Sequence, residues 1–255
     1  MRPSLSLRKK KAANFQNDIG INNRHSFLFT EAYKSLRTNV LFSLQKDGCR
    51  KLMVTSSLAG EGKSTVSTQL AVSFAQMGAS VLMADCDLRR GKVHRLFDAK
   101  RSPGLANVLA GFSDINTAVQ KTRIDNLYLL PAGVVPPNPA ELLASGRMDV
   151  LMEELSKSFD YIIMDTSPIN VISDALPLAG RVDGVIIVAR QNYTDRDSLA
   201  KCIKNLEFAS AKVLGIVFND VSAKDSVKGR RYGYYKGGYY SSHSSAEPLD
   251  SKIIE

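Results

Sequence analysis

The sequence predicts an α/β fold in which a largely parallel sheet is covered by helices on both faces. Three observations point to it. Short, continuous apolar runs recur along the chain, as expected of strands buried on both faces. Segments of helical periodicity separate these runs, and such alternation closes into a parallel sheet. One strand-to-helix junction carries a glycine-rich loop of the kind that cradles phosphate. The chain has 255 residues, 44 % hydrophobic and 23 % charged. That is enough for one such sheet, and too apolar for a disordered protein.

Residues 1–25 are polar, rich in Lys, Arg and Asn, and read as a flexible basic arm. From Thr30, the positions Ala32, Tyr33, Leu36, Val40, Leu41 and Leu44 recur at helical steps, predicting a helix closed by Asp47-Gly48. Residues 51–56 read as a strand, 57–62 as a loop, and 63–77 as a helix ended by Gly78. Residues 80–84 form the next strand, and 86–126 short helical pieces and loops. Residues 127–130 are a strand, 131–139 a loop, and 140–144 and 148–158 helices. The runs 161–164, 184–189 and 213–218 are strands, with a helix near 196–209 before the last. Past Val221 the chain is rich in Gly, Ser and Tyr without a core-forming pattern. The expected organisation is an arm (1–25), one folded domain (26–221) and a disordered tail (222–255).

Composition excludes several classes. No apolar run approaches the roughly 20 residues of a membrane-spanning helix, and no apolar stretch follows the basic N-terminus as in a secretory signal. Cys49, Cys86 and Cys202 lie far apart, which fits free thiols in a reducing interior. The formal charge of +9 belongs to the two ends. Residues 1–11 hold Arg2, Arg8, Lys9, Lys10 and Lys11. Residues 222–240 hold Lys224, Lys228, Arg230, Arg231 and Lys236 against Asp225, and the rest sums to zero. Such blocks read as interaction tails for nucleic acid or an anionic membrane surface, or as solvated ends.

The run Ser57-Leu-Ala-Gly-Glu-Gly-Lys-Ser64 has Walker A spacing, with Ser57 in place of the first glycine. Gly60 and Gly62 let main-chain N–H groups turn toward phosphate oxygens, and the helix starting near Lys63 adds its positive end. Lys63 is placed to reach the β- and γ-phosphates, and the Ser64 hydroxyl to ligate Mg²⁺. Two other strands run into aspartates, one into Asp85-Cys86-Asp87 and one into Asp165. Ligands of open parallel sheets bind beyond the carboxyl ends of the strands, so all three carboxylates are candidates to face the same phosphates and metal. Asp165 has the Walker B position. A carboxylate not engaged by metal can take a proton from an attacking hydroxyl, and Asp85 is the first choice, with Asp87 the second. Asn219, at a strand end, reads by itself as a simple turn residue.

These motifs resemble those of bacterial tyrosine kinases, the cytoplasmic kinases of capsular and exopolysaccharide synthesis. The motifs are the Walker A run ending Gly62-Lys63-Ser64-Thr65, the stretch Val81-Leu-Met-Ala-Asp-Cys-Asp-Leu-Arg-Arg90 (similar to Walker A′), and Ile162-Ile-Met-Asp-Thr-Ser-Pro168 (similar to Walker B). The stretch Gly133-Val-Val-Pro-Pro-Asn-Pro-Ala-Glu-Leu-Leu143 is a further likeness. The departures are Ala59 for the usual proline and Ser167 within Asp-Thr-Ser-Pro.

The resemblance implies a P-loop NTPase fold of the MinD/ParA type and a non-specific protein-tyrosine kinase that uses ATP and Mg²⁺. It gives Gly60, Glu61, Gly62, Lys63, Ser64, Thr65 and Asn219 to the nucleotide, Ser64, Asp87 and Asp165 to the metal, and Lys63, Asp85, Asp87 and Asp165 to catalysis. It further implies autophosphorylation in trans of a tyrosine cluster. Five of the nine tyrosines, Tyr232, Tyr234, Tyr235, Tyr239 and Tyr240, fall within nine residues, spaced by glycines and without aliphatics. Read by composition alone, a rival reading of that cluster is a stacking tail for single-stranded nucleic acid.

Glu31, Lys34 and Arg37 match the family's ring-forming helix motif, with Lys34 for its first arginine. The implied partners are a separate transmembrane chain-length or adaptor protein, further copies of the chain, and a cognate tyrosine phosphatase, but no nucleic acid. The implied location is the inner face of the cell membrane. The alternative is an ATPase switch of the ParA/MinD type, which usually carries an extra lysine early in Walker A. Ser56, Ser57 and Leu58 stand at those positions.

Overall fold

The computed structural model describes residues 26–221. The basic arm and the tyrosine-rich tail lie outside them. The chain divides after Asn219, and the fold below is that of residues 26–219.

In chain order the elements begin with α1 (Ser26–Ser43), β1 (Arg50–Ser56), α2 (Lys63–Ala75), β2 (Val81–Asp85), α3 (Val93–Leu96), α4 (Leu105–Leu109) and α5 (Ile115–Ala118). They continue with β3 (Gln120–Lys121), β4 (Leu127–Leu130), α6 (Pro139–Ala144), α7 (Gly146–Ser156) and β5 (Tyr161–Asp165). After a 3₁₀ turn at Ser173–Ala175 come α8 (Leu176–Ala179), β6 (Gly184–Arg190), α9 (Arg196–Phe208) and β7 (Val213–Asn219). The seven strands form one sheet in the order β3-β4-β2-β5-β1-β6-β7. Every pairing is parallel except that of β3 with β4.

The continuous apolar runs are explained by the two cores that sandwich the sheet. Side chains alternate across a strand. Leu52, Val54, Val81, Met83, Tyr161, Ile163, Ile186 and Val188 thus pack on one face with Val40, Leu70, Phe74 and other residues of α1 and α2. Met53, Leu82, Ala84, Ile162, Met164, Val185 and Ile187 pack on the other with Leu151, Leu155, Cys202 and Leu206 of α7 and α9. All three cysteines are free thiols, as expected, and Cys86 and Cys202 are buried.

Boundaries depart from the sequence expectation in a few places. Helix α1 starts at Ser26, ahead of Thr30. Its first turn leaves Phe27 and Leu28 exposed, so it lacks the apolar periodicity that marks a buried helix. Helix α2 ends at Ala75, one turn short of Gly78. The two-residue edge strand β3 and the 3₁₀–α8 segment around Pro177 are too short to give a periodic signal.

Candidate functional site

The site is assembled by strand order. Strands β2 and β5 are neighbours, and their register sets Asp85 directly opposite Asp165. Strand β1 lies on the other side of β5, with Val54 opposite Asp165, and runs on into the loop of residues 57–62. The glycine-rich loop and both strand-end aspartates therefore share one edge of the sheet, and Asp87 follows two residues after Asp85.

Gly60 and Gly62 have φ of +85° and +90°, the left-handed region where a side chain is strained. At Gly62 the demand is also steric, because a Cβ there would lie 1.9 Å from Asn219 Nδ2. Gly62 caps α2 without a side-chain hydrogen bond, so the helix presents its first N–H groups at the loop. Lys63 Nζ lies 3.3 Å from Asp87 Oδ2 and 3.9 Å from Asp165 Oδ2. The Ser64 hydroxyl donates to Asp165 Oδ2 at 2.5 Å. The N–H of Arg90 donates to Asp87 Oδ1 at 2.9 Å, and that of Val93 to Asp85 Oδ2 at 3.1 Å. Thr65, one residue further into α2, is exposed.

Burial dominates the electrostatics. It pushes the Asp85 carboxyl up to about 8, and the neighbouring Asp165 and Asp87 carboxylates add to the rise. Asp165 is raised for the same first reason, against the opposing pull of Lys63 and Ser64. Burial works against the Lys63 charge, but Asp165 and Asp87 outweigh it and hold the ammonium above its ordinary value. Asp85 Oδ1, Asp165 Oδ1 and Ser57 Oγ are buried with no hydrogen-bond partner among the described residues. The orphaned carboxylate oxygens, with Ser64 and Lys63 against Asp165, fit a hard cation together with phosphate. Among the described residues no three Asp, Glu, His or Cys groups converge tightly enough to hold a metal alone. Mg²⁺ commonly takes one or two carboxylates and completes its shell with water and substrate phosphate.

Asn219 lies in a strand, not in a turn, at the loop edge of the sheet. It ends β7, and its Nδ2 donates to the Glu61 carbonyl at 3.0 Å. Of the proposed contact residues, Lys34 pairs with Glu31 at 2.8 Å on the exposed side of α1. Arg37 turns inward and donates to the Ser73 carbonyl at 2.6 Å. Ser73 is in the last turn of α2, where carbonyls lack helical partners and a cation is favoured. The five tail tyrosines lie outside the described residues.

Three residues at the site were missed by sequence reasoning. Asp174, buried, takes a two-pronged pair from Arg89 at 2.5 and 3.1 Å. A lone acid in an otherwise apolar stretch was its only signal. The Tyr193 hydroxyl donates to the Ala59 carbonyl at 3.0 Å, and the Thr194 hydroxyl donates to Glu61 Oε1. Nothing local marks these two, because their partners are more than a hundred residues away.

A protein-family model described as an AAA domain matches residues 49–215. The chain is 37 % identical over 231 residues to the tyrosine-protein kinase YwqD of Bacillus subtilis, covering 91 % of this chain and 96 % of that one. Among solved structures it resembles the kinase domain of the Escherichia coli tyrosine kinase ETK, with a TM-score of 0.71, 34 % identity, and coverage of 76 % of this chain and 77 % of that one. It also resembles the septum site-determining protein MinD of Pyrococcus horikoshii, with a TM-score of 0.59 and 24 % identity over 69 % of this chain and 73 % of that one. That last likeness is one of fold. Among the described residues no helix is long and apolar enough to cross a membrane.

Proposed function

The chain belongs to the bacterial tyrosine-kinase family, and from that membership we propose that it is a protein-tyrosine kinase that transfers the γ-phosphoryl group of ATP to tyrosine hydroxyls. The phenolic oxygen attacks the γ-phosphorus, the bond to the β–γ bridging oxygen breaks, ADP leaves, and the phenolic proton passes to a carboxylate. The observation that carries the reading is the register that sets Asp85 beside Asp165 while Lys63 reaches both Asp87 and Asp165.

Lys63 and the main-chain N–H groups of residues 60–65 hold the phosphates. Ser64, Asp87 and Asp165 are the residues to hold Mg²⁺, which supplies charge neutralisation at the phosphoryl oxygens. Asp85 is the base, with Asp87 the second candidate. Burial raises the proton affinity of Asp85, and it takes the phenolic proton from its ionised form. The tyrosines of residues 232–240 are the first substrates, labelled in trans within a homo-oligomer. Each phosphate adds roughly −1.5 to −2 charges, so several reverse the positive balance of that tail. The setting is capsular or exopolysaccharide synthesis at the inner membrane face, with a separate transmembrane partner and an opposing phosphatase.

Incubation with Mg·ATP and measurement of intact mass tests the activity. Wild type gains several phosphates, and Lys63→Met, folded by circular dichroism, gains none. ADP formation without any mass gain would instead identify an ATPase switch.

A further inference from the structure

We infer that Tyr193 and Thr194, in the connection from β6 to α9, are positioning residues that brace the phosphate-binding loop in its nucleotide-ready shape. The inference rests on reading residues 57–64 as that loop.

Both glycines of the loop sit at positive φ, and glycines permit many other backbone conformations. Something must select this one. Glu61, between them, is fully buried. Its carboxylate stands in a loop built for anions, so it is useful there only if turned away from them. Two donors hold it so: the N–H of Leu58 at 2.7 Å and the hydroxyl of Thr194. Thr194 has no freedom in this bond. Its oxygen accepts the N–H of Arg190 at 2.7 Å, which leaves its one proton for Glu61.

Tyr193 makes the second tie, from its hydroxyl to the Ala59 carbonyl, while the Arg190 guanidinium lies 5.7 Å from its ring centroid. Asn219 makes a third, to the Glu61 carbonyl. Positions 59 and 61 are thus held from the β6–α9 connection and the end of β7, by residues 133 to 158 positions away. Fixing the loop before the ligand arrives removes an ordering cost from binding.

The test combines nucleotide affinity with amide exchange. Fluorescent ADP with Mg²⁺ is titrated into wild type, Thr194→Val, Thr194→Ser and Tyr193→Phe, and amide hydrogen exchange of residues 58–62 is followed without nucleotide. Thr194→Val is expected to raise Kd about tenfold, the worth of one hydrogen bond to a buried charge, and to speed exchange in the loop. Thr194→Ser keeps the hydroxyl and should restore both. Tyr193→Phe keeps the ring and should weaken binding roughly threefold, about one neutral hydrogen bond. KM for ATP should rise more than kcat falls. A Thr194→Val protein that melts earlier but, still folded, binds nucleotide and exchanges its loop amides as wild type does would overturn the brace. If Thr194→Val does not fold, Tyr193→Phe decides by the same two readouts. A wild type that binds no nucleotide overturns the kinase reading instead, and the exchange rates then judge the brace alone.

Discussion

Asp85 and Asp165 are forced together by register, and neither has a water shell to screen the other. The carboxyl of Asp85 ordinarily titrates near 3.8 and in the fold is pushed up to about 8, chiefly by burial. Its protonated form is therefore the one the metal-free fold prefers. Its stabilising effect is complete below about pH 4 and is lost as pH rises toward 8. Metal-free protein should become less stable to urea between pH 5 and pH 8, by on the order of 1 kcal/mol per pH unit at the steepest. Asp85→Asn should flatten that slope, because the amide does not titrate. An unchanged slope in the variant would place the dependence on other groups. Lys63 moves the other way: its neighbouring carboxylates hold it charged, so it stays a cation throughout this range.

Helix α2 does two jobs at its two ends. At its start, Gly62 must be glycine for both conformation and space. Gly62→Ala should lose nucleotide binding and cost at least about 1–2 kcal/mol in urea unfolding, the cost of the left-handed region before the clash with Asn219 is counted. Adding Asn219→Ala should recover part of the stability by removing the clash, while binding stays impaired. At its end, the Ser73 carbonyl is satisfied by Arg37 of α1. Arg37→Ala should therefore destabilise the isolated chain by about 1–2 kcal/mol, since a charged donor to a helix-end carbonyl is lost. Glu31→Ala and Lys34→Ala break only an exposed pair and should each stay within about 0.5 kcal/mol. If assembly also depends on this helix, all three variants should reduce oligomer size by light scattering, but only Arg37→Ala should lower the unfolding midpoint.

At the scale of the whole molecule, the glycine-rich loop and the tyrosines of residues 232–240 are far apart in the chain, so whether labelling passes between copies is a question of concentration. Replacing Tyr232, Tyr234, Tyr235, Tyr239 and Tyr240 by Phe should remove most self-labelling. That active chain should still label a Lys63→Met chain with an intact tail. The rate per chain should rise with protein concentration if the tail crosses between copies. A concentration-independent rate with a monomer throughout would mean that each kinase reaches only its own tail.

The sequence by itself determined the fold class, because the two-sided apolar runs allow only a sheet covered on both faces, and the two cores are where those runs pack. It also determined the local geometry of the loop: Gly62, Lys63 and Ser64 are adjacent in the chain, so their placement follows from one strand–loop–helix turn. Asp85 and Asp165 were each legible as strand ends, but their closeness was not. It depends on β2 pairing with β5, and strand order is a tertiary choice. The same holds more strongly for Thr194 against Glu61, Arg89 against Asp174, and Arg37 against Ser73. Each is an unremarkable polar residue until folding brings a partner from a distant part of the chain. A hydrogen bond across such a separation leaves no periodicity, spacing or composition to read, so only the tertiary structure could decide it.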